Sequence, residues 1–417
     1  MTFFFCMIVT SLAALACTPA LVSLSPWRSR RLRATNDSVS DSVAEPIESR
    51  VKQTQIAVRE VDPRQRRLLE ISEIVQESED VVSVYLTSVD GSELPDFRPG
   101  QHLIVERPAS VSSMATSRCY TLSNGPQQKA WRITVRRISS AIEAKSVSGW
   151  IHRELKIGDR LRVRGPRGSF TLDKADAAKP VVFVAAGVGI TPMASMLHEE
   201  LSYARSRQKW LFYQVRTWDT APLLQEMVSL IERSTACTAQ IMASRDAAPS
   251  ESPMKQAKLF AGKLDPFAML ESVGTNDFTM FLCGPGDWML EMRQKMVAMG
   301  VPDSQIHDEA FGTPETASAL LPPQSADSRD NQTQFKVAFE SSGKEAIVCG
   351  EKGNLLTLAK EHSIHIPASC RAGNCGTCAV KLLRGTVKYL REPQAETIDG
   401  EILPCICLPT SDIGIQA

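Results

Sequence analysis

Ser369-Cys370-Arg371-Ala372-Gly373-Asn374-Cys375-Gly376-Thr377-Cys378 sets three cysteines at C-x4-C-x2-C spacing, and a fourth follows in Leu403-Pro404-Cys405. Four thiolates so spaced suit a plant-type [2Fe-2S] cluster. The run of Gly, Ala and Ser lets backbone N–H groups turn inward toward thiolates and sulfides of net negative charge, which bulky residues would prevent. A zinc ribbon fits poorly: only Cys375 and Cys378 have Cys-x2-Cys spacing, and Cys405-Ile406-Cys407 is too tight for a second knuckle. A disulfide or an inert cluster of core thiols would need no such run of small residues.

At 417 residues the chain is too long for one ordinary core, so two to four domains are expected. Lys plus Arg and Asp plus Glu each number 47, which removes the basic excess that nucleic-acid binding requires. Of the eleven cysteines, Cys119, Cys237, Cys283, Cys349 and Cys407 form no paired framework, pointing to a reducing compartment around the finished protein.

Residues 1–66 read as a targeting leader and linker. Phe3 to Cys17 is almost uninterruptedly apolar, and Ala14-Leu15-Ala16 has the small-x-small form of a cleavage site. Arg28, Arg30, Arg31 and Arg33 follow in a Ser-rich stretch with no acid before Asp37. Signal followed by transit resembles the two-part presequence of algae whose plastids are reached through the secretory route, so a plastid is the expected location. The first basic residue is Arg28, so an uncleaved membrane anchor over Phe3 to Leu24, with the body facing the cytosol, is the rival; mitochondrial import is third.

Residues 67–176 alternate in short runs (Val81 to Leu86, His102 to Val105, Trp131 to Val135) between Gly and Pro turns, as in a small antiparallel β-barrel. Within it, Arg118-Cys119-Tyr120-Thr121-Leu122-Ser123, with Arg98-Pro99-Gly100-Gln101 upstream, resembles the R-x-Y-[ST] flavin motif of the ferredoxin-NADP reductase superfamily. Strand alternation sets Arg118 and Tyr120 on one face, a guanidinium for phosphate and a ring beside the isoalloxazine. The resemblance makes Arg118, Tyr120, Thr121 and Ser123 flavin-binding candidates, with Thr121 at the reactive flavin nitrogen. Lys145 to His152 resembles the second phosphate segment, adding Val147 and Ser148, with a helix expected to begin after Ser148. Phthalate dioxygenase reductase relatives use FMN and hybrid-cluster-protein reductase relatives use FAD; the wording here is nearer the second group, so FAD is expected and FMN is the alternative.

Residues 177–312 alternate apolar runs (Val181 to Ala185, Trp210 to Val215, Ala239 to Ala243, Phe278 to Leu282) with helical patterns, predicting an α/β domain on a parallel sheet. Gly187-Val188-Gly189-Ile190-Thr191-Pro192 lacks the third glycine of the dinucleotide fingerprint but resembles the G-x-G-I-T-P turn of ferredoxin reductases. Two glycines admit a pyrophosphate, and Pro192 is preset for a first helical turn. By the same resemblance, Cys283, Gly284 and Pro285 lie at the nicotinamide end, with Cys283 beside the hydride path. Glu309-Ala310-Phe311 resembles the closing E-x-F, with Glu309 near the flavin and Phe311 covering it. Arg216 and Arg245 end the second and third strands, where a 2'-phosphate could sit; NADH is preferred to NADPH from the family comparison.

Residues 313–334 read as a Pro-, Ser- and Asp-containing tether, and 335–417 as an α+β domain resembling the β-grasp ferredoxin fold. The fourth ligand is taken as Cys405 rather than Cys407, because the plant ferredoxin ending sets its ligand four residues before a proline, here Pro409. His362 and His365 read as packed or solvated, since Rieske sites interleave His with Cys. The expectation is a multidomain NAD(P)H oxidoreductase passing electrons through a flavin and a [2Fe-2S] cluster to a redox protein such as an oxygenase or another haem or iron protein. Thr121, Cys283 and Glu309 stand nearest the chemistry, and Cys370, Cys375, Cys378 and Cys405 hold the metal. A redox sensor or electron store without multiple turnover is the alternative, and reversed flow to make NAD(P)H is a second.

Overall fold

The computed structural model describes residues 65–108, 116–126, 128–138, 146–203, 206–249, 254–311, 334–349, 353–395 and 397–417. The leader up to residue 64 and nearly all of the expected tether lie outside the described residues.

The flavin-motif region builds a curled six-stranded antiparallel sheet. Its strands are β1 (Arg66–Ser78), β2 (Val81–Ser88), β3 (His102–Arg107), β4 (Thr116–Thr121), β5 (Trp131–Arg136) and β6 (Arg160–Arg167), in the order β4-β3-β6-β1-β2-β5. The edges β4 and β5 meet through one bridge, Leu122 to Ile133, rather than a full ladder. Alternate residues of β5, namely Trp131, Ile133 and Val135, fill the interior of the curl. Its other face is buried too, by a helix of the next region that covers Arg132. Helix α1 (Val147–Glu154) begins earlier than its sequence suggests: Ser146 is the cap, its hydroxyl accepting from Gly149 N–H at 2.9 Å, so Ser148 sits inside the first turn.

The second region is a parallel sheet, β7 (Val181–Ala186), β8 (Lys209–Val215), β9 (Cys237–Ala243), β10 (Ala257–Ala261), β11 (Thr279–Gly284) and β12 (Ile306–Ala310), in the order β10-β9-β8-β7-β11-β12. Helices α2 (Ile190–Ser202), α3 (Leu224–Ile231), α4 (Pro266–Val273) and α5 (Gly286–Ala298) connect the strands. Strands β7 and β11 are buried throughout: Phe183 and Phe281 enter one core, Val184 and Leu282 the other. Edge strand β10 buries only Ala257, which is why its pattern is faint in the sequence. Strand order departs in both directions from β7, opening a crevice above the carboxyl ends of β7 and β11.

The last region has a five-stranded sheet, β14-β13-β19-β15-β17, of β13 (Gln334–Phe339), β14 (Lys344–Cys349), β15 (Val380–Arg384), β17 (Glu401–Ile402) and β19 (Ile413–Ile415). A small ribbon pairs β16 (Val387–Tyr389) with β18 (Cys407–Pro409). The parallel contact of β13 with β19 brings the end of the chain beside the opening hairpin. Helix α6 (Leu355–Glu361) is capped by Asn354, whose Oδ1 accepts from Thr357 N–H and whose Nδ2 donates to the Cys405 carbonyl, both at 2.9 Å. The cap thereby ties the helix to the segment carrying the fourth cysteine.

Candidate functional site

The loop 370–378 is wound around its own cysteines. Arg371, Gly373 and Gly376 all adopt positive φ, which turns successive amides inward. Ala372 and Asn374 aim their N–H groups at the Cys370 sulfur from 3.4 and 3.3 Å, and Cys370 N–H points at the Cys375 sulfur from 3.4 Å. A side chain at Gly373 is excluded by packing as well as by its φ of +78°, since its Cβ would stand 2.4 Å from Ile406 Cδ1. The Cys378 and Cys405 sulfurs are 3.3 Å apart. Cys407 opens β18 instead, fully buried in the domain core.

The four thiols therefore arrive as two pairs, Cys370 with Cys375 and Cys378 with Cys405. No three His, Cys, Asp or Glu side chains among the described residues gather around one point as a mononuclear ion demands. Two pairs of thiols in a cradle of amides fit a two-iron cluster.

In the flavin motif, Arg118 is exposed and Tyr120 half-buried. The Tyr120 and Thr121 hydroxyls, both ring nitrogens of His102 and Glu309 Oε2 are buried without hydrogen-bond partners. Stranded polar atoms of this kind are uncommon in a finished core, and here they fit a polar heterocycle such as a flavin ring. His102 lies in β3 opposite Thr121, and its Nδ1 is 3.7 Å from Glu309 Oε1, both side chains nearly inaccessible. Ser123 is differently engaged: its hydroxyl accepts from Arg132 Nε at 3.0 Å and lies 2.8 Å from Thr134 Oγ1. Val147 and Ser148 are buried in the first turn of α1, and Arg107 donates to the Ser146 carbonyl beside them at 3.4 Å.

At the crevice, Gly187 to Gly189 form a single tight turn between β7 and α2. A Cβ at Gly189 would fall 2.1 Å from the Cys283 carbonyl oxygen, so only glycine lets this turn rest on the end of β11. Thr191 Oγ1 donates to the Val188 carbonyl at 3.0 Å, and Pro192 is buried in the first turn of α2. Cys283 is fully buried opposite Glu309 in the β11–β12 ladder. Burial pushes its thiol well above the ordinary range, with Glu309 and Asp308 adding to the effect, so it remains an uncharged neighbour rather than a nucleophile. Gly284 ends β11 and Pro285 precedes α5. Phe311 is half-buried against the core containing Cys283. Arg216 and Arg245 are exposed, and Arg245 N–H donates to the Arg216 carbonyl at 2.9 Å.

Interdomain contacts close the arrangement. Arg132 of β5 forms a two-pronged ion pair with Glu226 of α3, and His198 Nε2 of α2 lies 2.6 Å from the same carboxylate. Burial pushes the Glu226 carboxyl up, yet hydrogen bonds from His198 and Arg132 bring it down to about 2. Gln394 Oε1 accepts from Ser169 Oγ at 2.7 Å and from Lys174 Nζ at 3.0 Å, while Gln394 N–H donates to the Gly373 carbonyl at 3.1 Å. The cluster loop is thus pinned to the flavin domain. Cys119, between Arg118 and Tyr120, places its thiol 3.4 Å from Ser369 Oγ, and the nearby Cys375 sulfur together with burial holds that thiol well above its usual range. His102, Cys119, Glu226 and Gln394 are absent from the sequence-derived candidates; only His102, directly after the Arg-Pro-Gly-Gln segment, carried a local signal.

Residues 68–172 match the family of oxidoreductase FAD-binding domains, 183–295 oxidoreductase NAD-binding domains, and 339–410 the 2Fe-2S iron-sulfur cluster binding domains. A glycine betaine monooxygenase reductase subunit of Chromohalobacter salexigens is 30% identical over 356 residues, 82% of this chain and 93% of that protein. One component of the 1,2-phenylacetyl-CoA epoxidase of Escherichia coli is 27% identical over 363 residues, 84% of this chain and 96% of that one. The solved structure of phthalate dioxygenase reductase shares the fold, with a TM-score of 0.51, 23% identity, and coverage of 84% of this chain and 98% of that chain. With three cofactor domains in this order, and a relative matched over nearly its whole length, the chain belongs to the ferredoxin-NADP reductase superfamily, among the NAD(P)H oxidoreductases that carry FAD and a C-terminal [2Fe-2S] domain.

Proposed function

We propose that this protein is the reductase component of an oxygenase-type system, handing single electrons from its cluster to a separate iron protein. When bound, FAD takes hydride from the nicotinamide and the [2Fe-2S] group receives its electrons one at a time. The chain's own residues position these groups. Gly187, Gly189, Thr191 and Pro192 seat the nucleotide pyrophosphate at the start of α2. Gly284 and Pro285 support the nicotinamide, and Cys283 stands beside it as an uncharged thiol. Thr121 presents a hydroxyl to the flavin edge, Tyr120 flanks the ring, Arg118 holds the phosphate, and Val147 and Ser148 offer the amides of α1. Glu309, with His102 at its side, lines the flavin site as a buried polar pair. Phe311 shields the ring, and Cys370, Cys375, Cys378 and Cys405 ligate the irons.

One observation carries this reading: the strand bearing the flavin motif touches the cluster loop through Cys119 and Ser369. A protein whose two redox groups share a wall conducts between them without domain motion. Two relatives named as components of a monooxygenase and an epoxidase support an oxygenase as acceptor. The test is anaerobic mixing of the reconstituted protein with NADH or NADPH while the cluster absorption is followed. Bleaching, then many turnovers with cytochrome c, is expected; a sensor would consume one equivalent and stop. Faster reduction by NADH is expected, with Arg216 and Arg245 at the strand ends beside the ribose side of the nucleotide. Affinity capture with the cluster intact identifies the acceptor. The leader supports delivery to a plastid, and sequencing the mature N-terminus tests it.

A further inference from the structure

Between the flavin domain and the [2Fe-2S] domain lies a cleft of about 800 Å³. Five arginines of the flavin domain line one wall, Arg118 of the flavin motif among them, and Lys360, His365 and Arg371 of the [2Fe-2S] domain line the other. Among the described residues of the lining, these seven Lys and Arg side chains face one carboxylate, Glu106, which pairs with Arg66 and Arg164, while Arg107 pairs with Glu154 outside it. A half-open groove with such an excess suits a polyanion. Its lining also includes Arg107, which donates to the Ser146 carbonyl where α1 begins, so the start of that helix adjoins the groove. The [2Fe-2S] side adds an apolar stretch, Leu356, Ile366 and Pro367, bordered by the Asn354 amide and the Thr357 hydroxyl. Cationic side chains on the flavin side and an apolar patch on the [2Fe-2S] side suit the phosphate and the base of a nucleotide.

We propose that the adenosine and second phosphate of FAD occupy this cleft, so that Lys360 and His365 of the [2Fe-2S] domain complete a dinucleotide site begun by Arg118. The inference rests on Arg118 as the flavin-phosphate arginine. It gives the chain a physical reason to hold FAD rather than FMN. FMN ends at the first phosphate, within reach of the flavin domain alone, whereas the rest of FAD would be held by both domains. It also makes the flavin a clamp: FAD, once bound, holds the cluster domain in its electron-receiving position.

Lys360 and His365 are both exposed on this wall, so their replacement carries little folding cost. The test is equilibrium binding of FAD and of FMN, read by flavin fluorescence, to the full-length cluster-loaded protein and to its Lys360→Ala, Lys360→Glu, His365→Ala and Arg118→Ala forms. Cluster absorption confirms that each variant keeps its iron-sulfur domain. The dissociation constant for FAD is expected to rise about tenfold in Lys360→Ala, the scale of one charge-assisted hydrogen bond, and further in Lys360→Glu, with FMN affinity unchanged. Arg118→Ala is expected to weaken both flavins. Unaltered FAD affinity in the Lys360 and His365 variants, or equal loss of FAD and FMN, overturns the shared site while leaving Arg118 in place. Unaltered binding of both flavins to Arg118→Ala overturns the reading beneath it.

Discussion

The thiol of Cys119 and the hydroxyl of Ser369 meet at 3.4 Å across 250 positions of sequence, joining the strand of the flavin motif to the loop of the iron-sulfur cysteines. The adjoining Cys375 sulfur and burial hold the Cys119 thiol well above its usual range, so it stands beside a ligand sulfur as a neutral, protonated group. A donor on a ligand sulfur favours the more negative, reduced state of a cluster. Cys119→Ala should therefore lower the cluster midpoint potential by tens of millivolts, where about 59 mV corresponds to a tenfold change for one electron. Cys119→Ser should fall between the two. An EPR-monitored titration giving one potential for all three proteins would remove Cys119 from the electron path.

The neighbouring cysteines Cys405 and Cys407 make a sharper contrast. The Cys405 sulfur faces Cys378 at 3.3 Å, while Cys407 packs in the core at the start of β18. Cys405→Ser should abolish or strongly deplete the cluster, seen as loss of visible absorption and of bound iron. Cys407→Ser should keep both, at a stability cost of about 1–2 kcal/mol for a buried hydroxyl. The reverse pattern would reassign the fourth ligand.

Glu226 predicts a pH window. Its carboxyl is held at about 2, below the usual 4.5, by His198 and Arg132 despite burial. A depressed carboxylate stabilises the fold fully above its unfolded value and loses that contribution as pH falls from about 4.5 toward 2. Thermal denaturation should show this loss in the unaltered protein and a flatter profile in Glu226→Gln. At neutral pH the variant should be weaker by on the order of 2 kcal/mol, allowing for its partial exposure. Parallel profiles would mean that the pair adds nothing to the interface.

Gly189 permits a backbone-to-backbone approach that no side-chain rotation can relieve, with its added Cβ 2.1 Å from the Cys283 carbonyl. In Gly189→Ala, reduction of the protein by NADH should slow at least tenfold, the equivalent of about 1.4 kcal/mol. Chemical reduction of the cluster by dithionite should be unaffected, because the cysteine loop lies in another domain. Equal impairment of both would indicate a folding defect instead.

Much of the architecture was legible because its signals are local. The spacing of Cys370, Cys375 and Cys378 is a property of one loop, and the alternation of Trp131, Ile133 and Val135 is a property of one strand. Helix α1 shows the limit of such reading: its cap is Ser146, ahead of the residues singled out, because the cap is defined by which hydroxyl reaches Gly149. Strand β10 was faint because an edge strand buries little and so needs little pattern.

By itself the sequence determined the order of three domains, the thiols available for iron, and the glycine turn for a nucleotide, since each depends on residues within one loop or element. Only the tertiary structure decided which thiol pairs with which, that His102 faces Glu309, and that Lys360 and His365 share a cleft with Arg118. Those relations join residues far apart in the chain, and they arise from how separately folded surfaces dock, which no periodicity along the chain encodes.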